Sequence, residues 1–127
     1  MRLALSRYAR FFCCVSFYSF YCLLVPVTMW AHAVLVDSIP HDSEVVSTGT
    51  LAVVLSFNSR IDQARSTLTL ERLGLANTPV AVDKRPAHPS ELSGQLSNLN
   101  PGSYKLHWQV LAVDGHVTRG VISFSVK

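Results

Sequence analysis

Hydrophobic and polar residues alternate along most of the chain after residue 32, and this period of two is that of a β-strand rather than an α-helix. Segments rich in Pro, Gly, Asn and Asp fall between the alternating runs and mark turns. The pattern predicts about seven short strands, at Ala33–Val36, Leu51–Phe57, Thr67–Arg72, Pro79–Val82, Glu91–Leu96, Tyr104–Val113 and Val121–Val126.

Short strands at such regular spacing, in fewer than about 100 residues, predict an all-β fold, a Greek-key immunoglobulin-like sandwich or barrel. The Cys-Trp-Cys signature of true immunoglobulin domains is missing. The longest predicted strand has a polar face and an apolar face, so Trp108 is expected in the core. The apolar face carries Tyr104, Leu106, Trp108, Val110 and Ala112, and the polar face carries Lys105, His107 and Gln109.

Residues 1–31 have the composition of a secretory signal peptide. Three arginines open the segment, and the run from Phe11 to Trp30 is uncharged and apolar. An uncleaved anchor helix is the alternative, because the apolar run is nearly long enough to span a bilayer. The cleavage point is open: the A-x-A pattern Ala31-His32-Ala33 favours a cut after Ala33, whereas a cut before His32 leaves a histidine at the new amino terminus.

Removal of the first 31 residues changes the chemistry of the chain. The full sequence has 11 Lys and Arg against 8 Asp and Glu, and the excess consists of Arg2, Arg7 and Arg10. Residues 32–127 are therefore near neutral, and no basic surface predicts a nucleic-acid partner. All 3 Cys and both Met lie before residue 32, whereas all 5 His lie within residues 32–127. The expected single domain, residues 32–127, thus has no sulfur ligand and no disulfide.

Two segments far apart in the sequence carry candidate metal ligands. An amino-terminal His32 would offer its α-amine and its imidazole, and Asp114-Gly115-His116 would offer a carboxylate and a second imidazole. Together these donors suit Cu(II). Asp-Gly after a strand is also a common hairpin turn, so a purely structural role is the alternative.

The segment from Tyr104 to Val126 resembles the closing hairpin of the CopC family of periplasmic copper-resistance proteins, whose pattern is roughly Y-x-V-x-W-x-V-x-S-x-D-G-H-x-x-x-G-x-x-x-F-x-V. His32-Ala33-Val34-Leu35 with Ser38-Ile39-Pro40 is similar to the family's mature amino terminus, H-A-x-L followed by S-x-P. Leu55-Ser56-Phe57 and Asn100-Pro101-Gly102-Ser103-Tyr104 also match family segments. The resemblance implies cleavage before His32.

The resemblance further implies a site for one Cu(II), formed by the α-amine and imidazole of His32, a carboxylate oxygen of Asp114 and an imidazole nitrogen of His116. Binding would displace protons, so the metal is expected to dissociate as the pH falls toward the ordinary pKa of histidine, about 6.5. Many family members have an acidic residue near the copper where this chain has Ser59, so a fourth residue is not expected at the site. The absence of Met after residue 32 predicts no Cu(I) site.

The remaining histidines are expected to be solvated side chains. His41 and His88 lie in Pro-containing loops, and His107 is on the polar face of the longest strand. Of these three, His41 is the best further candidate for a metal ligand, because it closely follows the first strand.

Three functions are compatible with the sequence. The first, implied by the resemblance, is a non-enzymatic periplasmic Cu(II) carrier or buffer for copper resistance, which could supply an inner-membrane partner similar to CopD. Any membrane contact would then belong to that partner. The second is a copper oxidative enzyme with a histidine brace, although the anionic Asp114 would hinder reduction of the metal. The third is a metal-free structural or adhesion domain.

Overall fold

The computed structural model describes residues 32–127, which form eight β-strands. The predicted signal peptide, residues 1–31, lies outside the described residues. Within the described part, the chain has no helix that could cross a membrane. In chain order the strands are β1 (Leu35–Ile39), β2 (Glu44–Val46), β3 (Gly49–Phe57), β4 (Ile61–Arg72), β5 (Thr78–Val80), β6 (Glu91–Leu99), β7 (Gly102–Ala112) and β8 (Val117–Val126).

The strands form two sheets that enclose one core, so the predicted all-β sandwich is confirmed. One sheet has the order β1-β3-β6 and the other β2-β8-β7-β4-β5. Neighbouring strands are antiparallel, except that β2 pairs in parallel with the end of β8. The sequence pattern did not predict β2, because it has only 3 residues and its partner lies at the other end of the chain.

The inward faces of both sheets supply the core, and the predicted apolar face of the longest strand is buried as expected. Trp108 is 7% exposed, and its ring meets that of Phe57 edge to face at 5.3 Å between centroids. Tyr104 stacks on Phe124 at 5.4 Å. The most deeply buried large side chains include Val53, Leu55, Leu68, Leu92, Leu106 and Val110.

Three segments meet at one end of the sandwich and place the candidate ligands. The first is the segment that leads into β1, and the second is the β7–β8 hairpin, in the other sheet. The third is the short connection between β3 and β4, residues 58–60, which hydrogen bonds to both of the others. The ends of the two sheets are thereby joined through this connection.

Candidate metal centre

The β7–β8 hairpin closes through a three-residue loop, Val113-Asp114-Gly115. The Gly115 amide donates to the Ala112 carbonyl at 2.9 Å, and the Ala112 amide donates to the His116 carbonyl at 2.9 Å. Gly115 has a φ of 89°, whereas Val113 and Asp114 have no positive φ. This is the arrangement of a type I turn followed by a glycine bulge. Asp-Gly therefore has the turn role that its sequence suggested, and the same turn exposes Asp114 and His116 to solvent.

Asp114 and His116 contact each other twice. The His116 amide donates to Asp114 Oδ1 at 3.0 Å, and His116 Nδ1 lies 3.0 Å from Asp114 Oδ2. When Nδ1 carries the ring proton, it donates to the carboxylate and leaves the Nε2 lone pair available to a metal. A carboxylate that holds a ligating imidazole in this way fixes both its tautomer and its orientation.

The pKa of Asp114 is lowered from its ordinary value of 3.8. The largest cause is the hydrogen bond from the His116 amide, which stabilises the carboxylate; partial desolvation opposes it. The hydrogen bond and charge of the His116 ring, and the charge of His32, lower the pKa further. Asp114 is therefore an anion throughout the neutral range, which is the form required of a metal ligand.

The segment that leads into β1 is fixed to the sandwich immediately after His32. Ala33 is completely buried in the core. The Val34 amide donates to the side-chain Oδ1 of Asn58 at 2.8 Å, and the Asn58 amide donates to the Val34 carbonyl at 3.0 Å. Leu35 then pairs with Phe57 as the first residue of β1. The backbone beyond His32 is thus held on both its donor and acceptor sides.

The three predicted ligand residues lie together. Among residues 32–127, His32, Asp114 and His116 form a cluster in which one ligand atom from each residue lies within 4.8 Å of the others, and all three residues are exposed. The rings of His32 and His116 meet edge to face, with centroids 4.8 Å apart. Metal–nitrogen bonds of about 2 Å place opposite ligands about 4 Å apart, so small side-chain rotations would suffice to enclose an ion.

Ser59 lies in the β3–β4 connection, between residues that bond to the two ligand-bearing segments. Asn58 holds the amino-terminal side, and the Arg60 carbonyl accepts from the Val113 amide of the hairpin at 3.3 Å. The Ser59 hydroxyl is buried and has no hydrogen-bond partner within the described part of the chain. Ser59 thus offers a short neutral side chain, and no carboxylate, at this position.

The structure does not bring the other three histidines into this cluster. His41 is exposed, and its Nδ1 lies 3.7 Å from Asp37. His88 is exposed in the loop before β6. His107 is only partly solvated, because its Nε2 lies 2.5 Å from Glu71 on the outer face of the five-stranded sheet. That contact between neighbouring strands was not predicted.

Comparison with known proteins assigns the family. The model of the CopC domain matches residues 35–127, which is most of the chain. The chain belongs to the CopC family. The resemblance to this family that the sequence motifs indicate is therefore confirmed.

Individual CopC-family relatives agree over most of their length. Protein YobA of Escherichia coli K12 is 30% identical over 106 residues, which cover 82% of this chain and 86% of YobA. Copper resistance protein C of Xanthomonas campestris pv. juglandis is 32% identical over 111 residues, covering 82% and 87%. The crystal structure of CopC from Methylosinus trichosporium OB3b superposes with a TM-score of 0.67 at 28% identity, covering 76% of this chain and 94% of that one.

Sequence reasoning missed Asn58. Its position directly after the Phe57 that ends β3 could have drawn attention, because Asn commonly bonds to nearby backbone through its side chain. Its partner is Val34, however, and only the pairing of β1 with β3 brings the two residues together.

Proposed function

We propose that this protein is a periplasmic Cu(II)-binding protein for copper resistance and homeostasis, and that copper is its cargo. One Cu(II) is held by the α-amine and imidazole of His32, a carboxylate oxygen of Asp114 and an imidazole nitrogen of His116. The observation that carries the proposal is the convergence of His32, Asp114 and His116 from two sheets onto one exposed cluster with ligand atoms within 4.8 Å.

Family membership and the chemistry of the cluster support copper. A CopC-family relative with 32% identity bears the name copper resistance protein C. Three nitrogen donors and one carboxylate oxygen suit the tetragonal geometry of Cu(II), and Cu(II) heads the affinity series of the divalent first-row metals. Ni(II) and Zn(II) would bind more weakly than Cu(II). The domain has no thiolate or thioether, so Cu(I) finds no soft ligand after residue 32.

His32 has a free α-amine only after cleavage between Ala31 and His32, and this cleavage accompanies export. The basic, then apolar composition of the first 31 residues supports a signal peptide. Export to the periplasm of a bacterium is consistent with a domain that has no cysteine left to oxidise.

Delivery of copper to an inner-membrane protein similar to CopD extends this proposal. The cluster is exposed, so another protein could reach the ion directly. Exposed apolar residues adjoin the ligands in sequence, namely Val34, Val113 and Val117, which are 53%, 63% and 47% exposed. Exposed apolar side chains near a site are available for contact with another protein.

A binding protein fits this site better than an oxidative enzyme. Asp114 is an anion whose ionised form is stabilised by the hairpin, and an anionic ligand favours Cu(II) over Cu(I). Oxygen chemistry at copper requires reduction to Cu(I). Sustained ascorbate-dependent consumption of oxygen by the copper-loaded protein would contradict the carrier proposal and support a histidine-brace enzyme.

The proposal is tested by titrating the exported, processed protein with Cu(II), after mass spectrometry has identified its amino-terminal residue. The expected result is a chain that starts at His32 and binds one equivalent tightly. His116→Ala and a form with one extra residue before His32 should both bind at least about 10-fold more weakly. His88→Ala is the matched control and should bind like the wild type. Weak binding that neither change affects, or a mature chain that starts at Val34, would leave a metal-free β-sandwich domain.

A further inference from the structure

The Asn58 side chain completes the hydrogen bonding of the backbone next to His32. The Asn58 amide donates to the Val34 carbonyl at 3.0 Å and so extends the β1–β3 ladder by one step beyond Leu35 and Phe57. In a regular ladder a backbone carbonyl would accept from the Val34 amide. Here the Oδ1 of Asn58 accepts instead, at 2.8 Å. The side-chain oxygen of Asn58 has therefore taken the place of a backbone carbonyl in the ladder.

This hydrogen bond lies close to the segments that carry the proposed ligands. Only Ala33 separates Val34 from His32, and its side chain is buried in the core. Two residues after Asn58, the Arg60 carbonyl accepts from Val113, which precedes Asp114 in the hairpin. One short connection therefore fixes the backbone next to both halves of the ligand cluster, and Asn58 is the residue that does so through its side chain.

We propose that Asn58 is a positioning residue for the metal centre, one that holds the amino-terminal segment so that the amine and imidazole of His32 meet Asp114 and His116. The inference rests on the proposed function and adds a residue that does not itself contact the ion. A chain terminus frays unless it is tied down, and signal cleavage would make His32 a terminus. A ligand that must first be ordered binds more weakly than one already in place.

The first test compares Cu(II) affinity in processed proteins that carry Asn58→Ala, Asn58→Asp or Asn100→Ala. Asn58→Ala removes the acceptor and should weaken binding by about 10- to 100-fold, as for other partners that orient ligands. Asn58→Asp keeps an acceptor oxygen and should restore most of the affinity. Asn100→Ala removes a side-chain hydrogen bond to the Asn98 carbonyl. Asn100 precedes β7, whereas the turn that carries Asp114 follows it, so this control should leave the Cu(II) affinity unchanged.

Two further measurements separate positioning from general stability. At saturating copper, the Asn58→Ala protein should have a Cu(II) electron paramagnetic resonance spectrum that differs from that of the wild type or is heterogeneous, while urea unfolding shows that it is folded. Without any metal, the Val34 amide should exchange its hydrogen with solvent faster in Asn58→Ala than in the wild type or Asn58→Asp. The exchange measurement does not depend on copper.

The outcomes distinguish this inference from the proposed function. If the wild type binds one Cu(II) tightly through His116 but Asn58→Ala leaves the affinity, spectrum and exchange unchanged, the proposed function stands and the positioning role is wrong. If the wild type itself binds no copper tightly, both are wrong. Equal weakening by Asn58→Ala and Asn58→Asp, with normal exchange at Val34, would also overturn the inference.

Discussion

Asp114 combines a structural and a chemical role in one carboxylate. Its Oδ1 accepts from the His116 amide, and its Oδ2 faces the His116 ring. The first contact shapes the hairpin, and the second orients a proposed ligand. The interpretation of Asp-Gly-His as a hairpin turn is therefore compatible with its interpretation as a pair of metal ligands, because the turn directs both side chains outward.

The lowered pKa of Asp114 predicts how this residue affects stability in acid. Its folded-state pKa is below the ordinary 3.8, so the carboxylate stabilises the fold at pH values above 3.8. That contribution is lost as the pH falls through the folded-state pKa. The substitution Asp114→Asn would keep an oxygen that accepts from the His116 amide but would remove the charge. Urea unfolding of the metal-free wild type and of this variant should therefore show a difference in the free energy of unfolding that is present at neutral pH and shrinks below about pH 4. A pH-independent difference would contradict the cause assigned to the shift.

Copper should dissociate at a higher pH than that at which Asp114 takes up a proton. Imidazoles ordinarily take up protons near pH 6.5 and α-amines near pH 8, whereas Asp114 remains an anion below its ordinary pKa. We expect the affinity for Cu(II) to fall by orders of magnitude between about pH 8 and pH 5, with release of more than one proton per ion bound. Isothermal titration in buffers of different ionisation enthalpy measures that number. Affinity that stays constant down to pH 5 would exclude nitrogen-dominated binding.

The sequence predicts the burial of individual residues better than it predicts their contacts. The burial of Trp108 follows from alternation along one strand and is confirmed. The contact of His107 with Glu71 and the role of Asn58 depend on which strands become neighbours. Alternation within one strand carries no information about the residue across from it.

At the scale of elements, the ligand turn depends on Gly115. Its φ of 89° lies in the left-handed region, and an added Cβ would meet nothing within 4 Å. Gly115→Ala should therefore destabilise the protein through the backbone alone, by about 1–2 kcal/mol. Gly115→Asn should cost less, because Asn tolerates this conformation. Urea unfolding of both variants checks the order, and an alanine variant as stable as the wild type would contradict it.

Gly120 in β8 is needed for a different reason, the packing of Trp108. A Cβ at residue 120 would clash with Cζ2 and Cε2 of the indole ring, which is buried. Gly120→Ala should displace the ring and destabilise the fold by about 1–3 kcal/mol. Val121→Ala, at the exposed neighbouring position, is the control and should change stability by less than about 1 kcal/mol. Trp108 is the sole tryptophan after residue 32, so its fluorescence reports the displacement directly. An unchanged emission spectrum in Gly120→Ala would contradict the packing argument.

Some strand boundaries were predicted to the residue, whereas others were missed by several residues. β6 begins at Glu91 as predicted, and β3 ends at Phe57 as predicted. β4 was expected to begin at Thr67 but begins at Ile61, because its register with β7 shifts between Asp62 and Thr67. The buried Ser66 hydroxyl at this shift bonds to the Asp62 carbonyl and the Leu111 amide. A polar residue that hydrogen bonds to the backbone at a bulge interrupts the alternation, so the sequence pattern resembles that of a loop.

For the whole domain, the proposed ion would connect the two sheets. His32 precedes β1 of the three-stranded sheet, and Asp114 and His116 lie in a hairpin of the five-stranded sheet. Composition and period predict a sandwich, but neither predicts which loops meet at one end. The resemblance to a family suggests that the segments of His32 and Asp114 converge. The spacing of these two residues in the sequence does not indicate this convergence.

Copper should therefore stabilise the folded domain strongly. The unfolded chain does not hold His32 near the hairpin, so an ion that binds the folded state more tightly raises the free energy of unfolding. At free Cu(II) about 100-fold above the dissociation constant the gain is about 2.7 kcal/mol, which corresponds to a rise in Tm of roughly 10–20 °C for a domain of this size. His116→Ala, and a form extended by one residue before His32, should show a much smaller rise. Calorimetry with buffered free Cu(II) measures all three proteins. An equal rise in all of them would mean that copper binds elsewhere, and no rise in the wild type would mean that the cluster does not hold the ion.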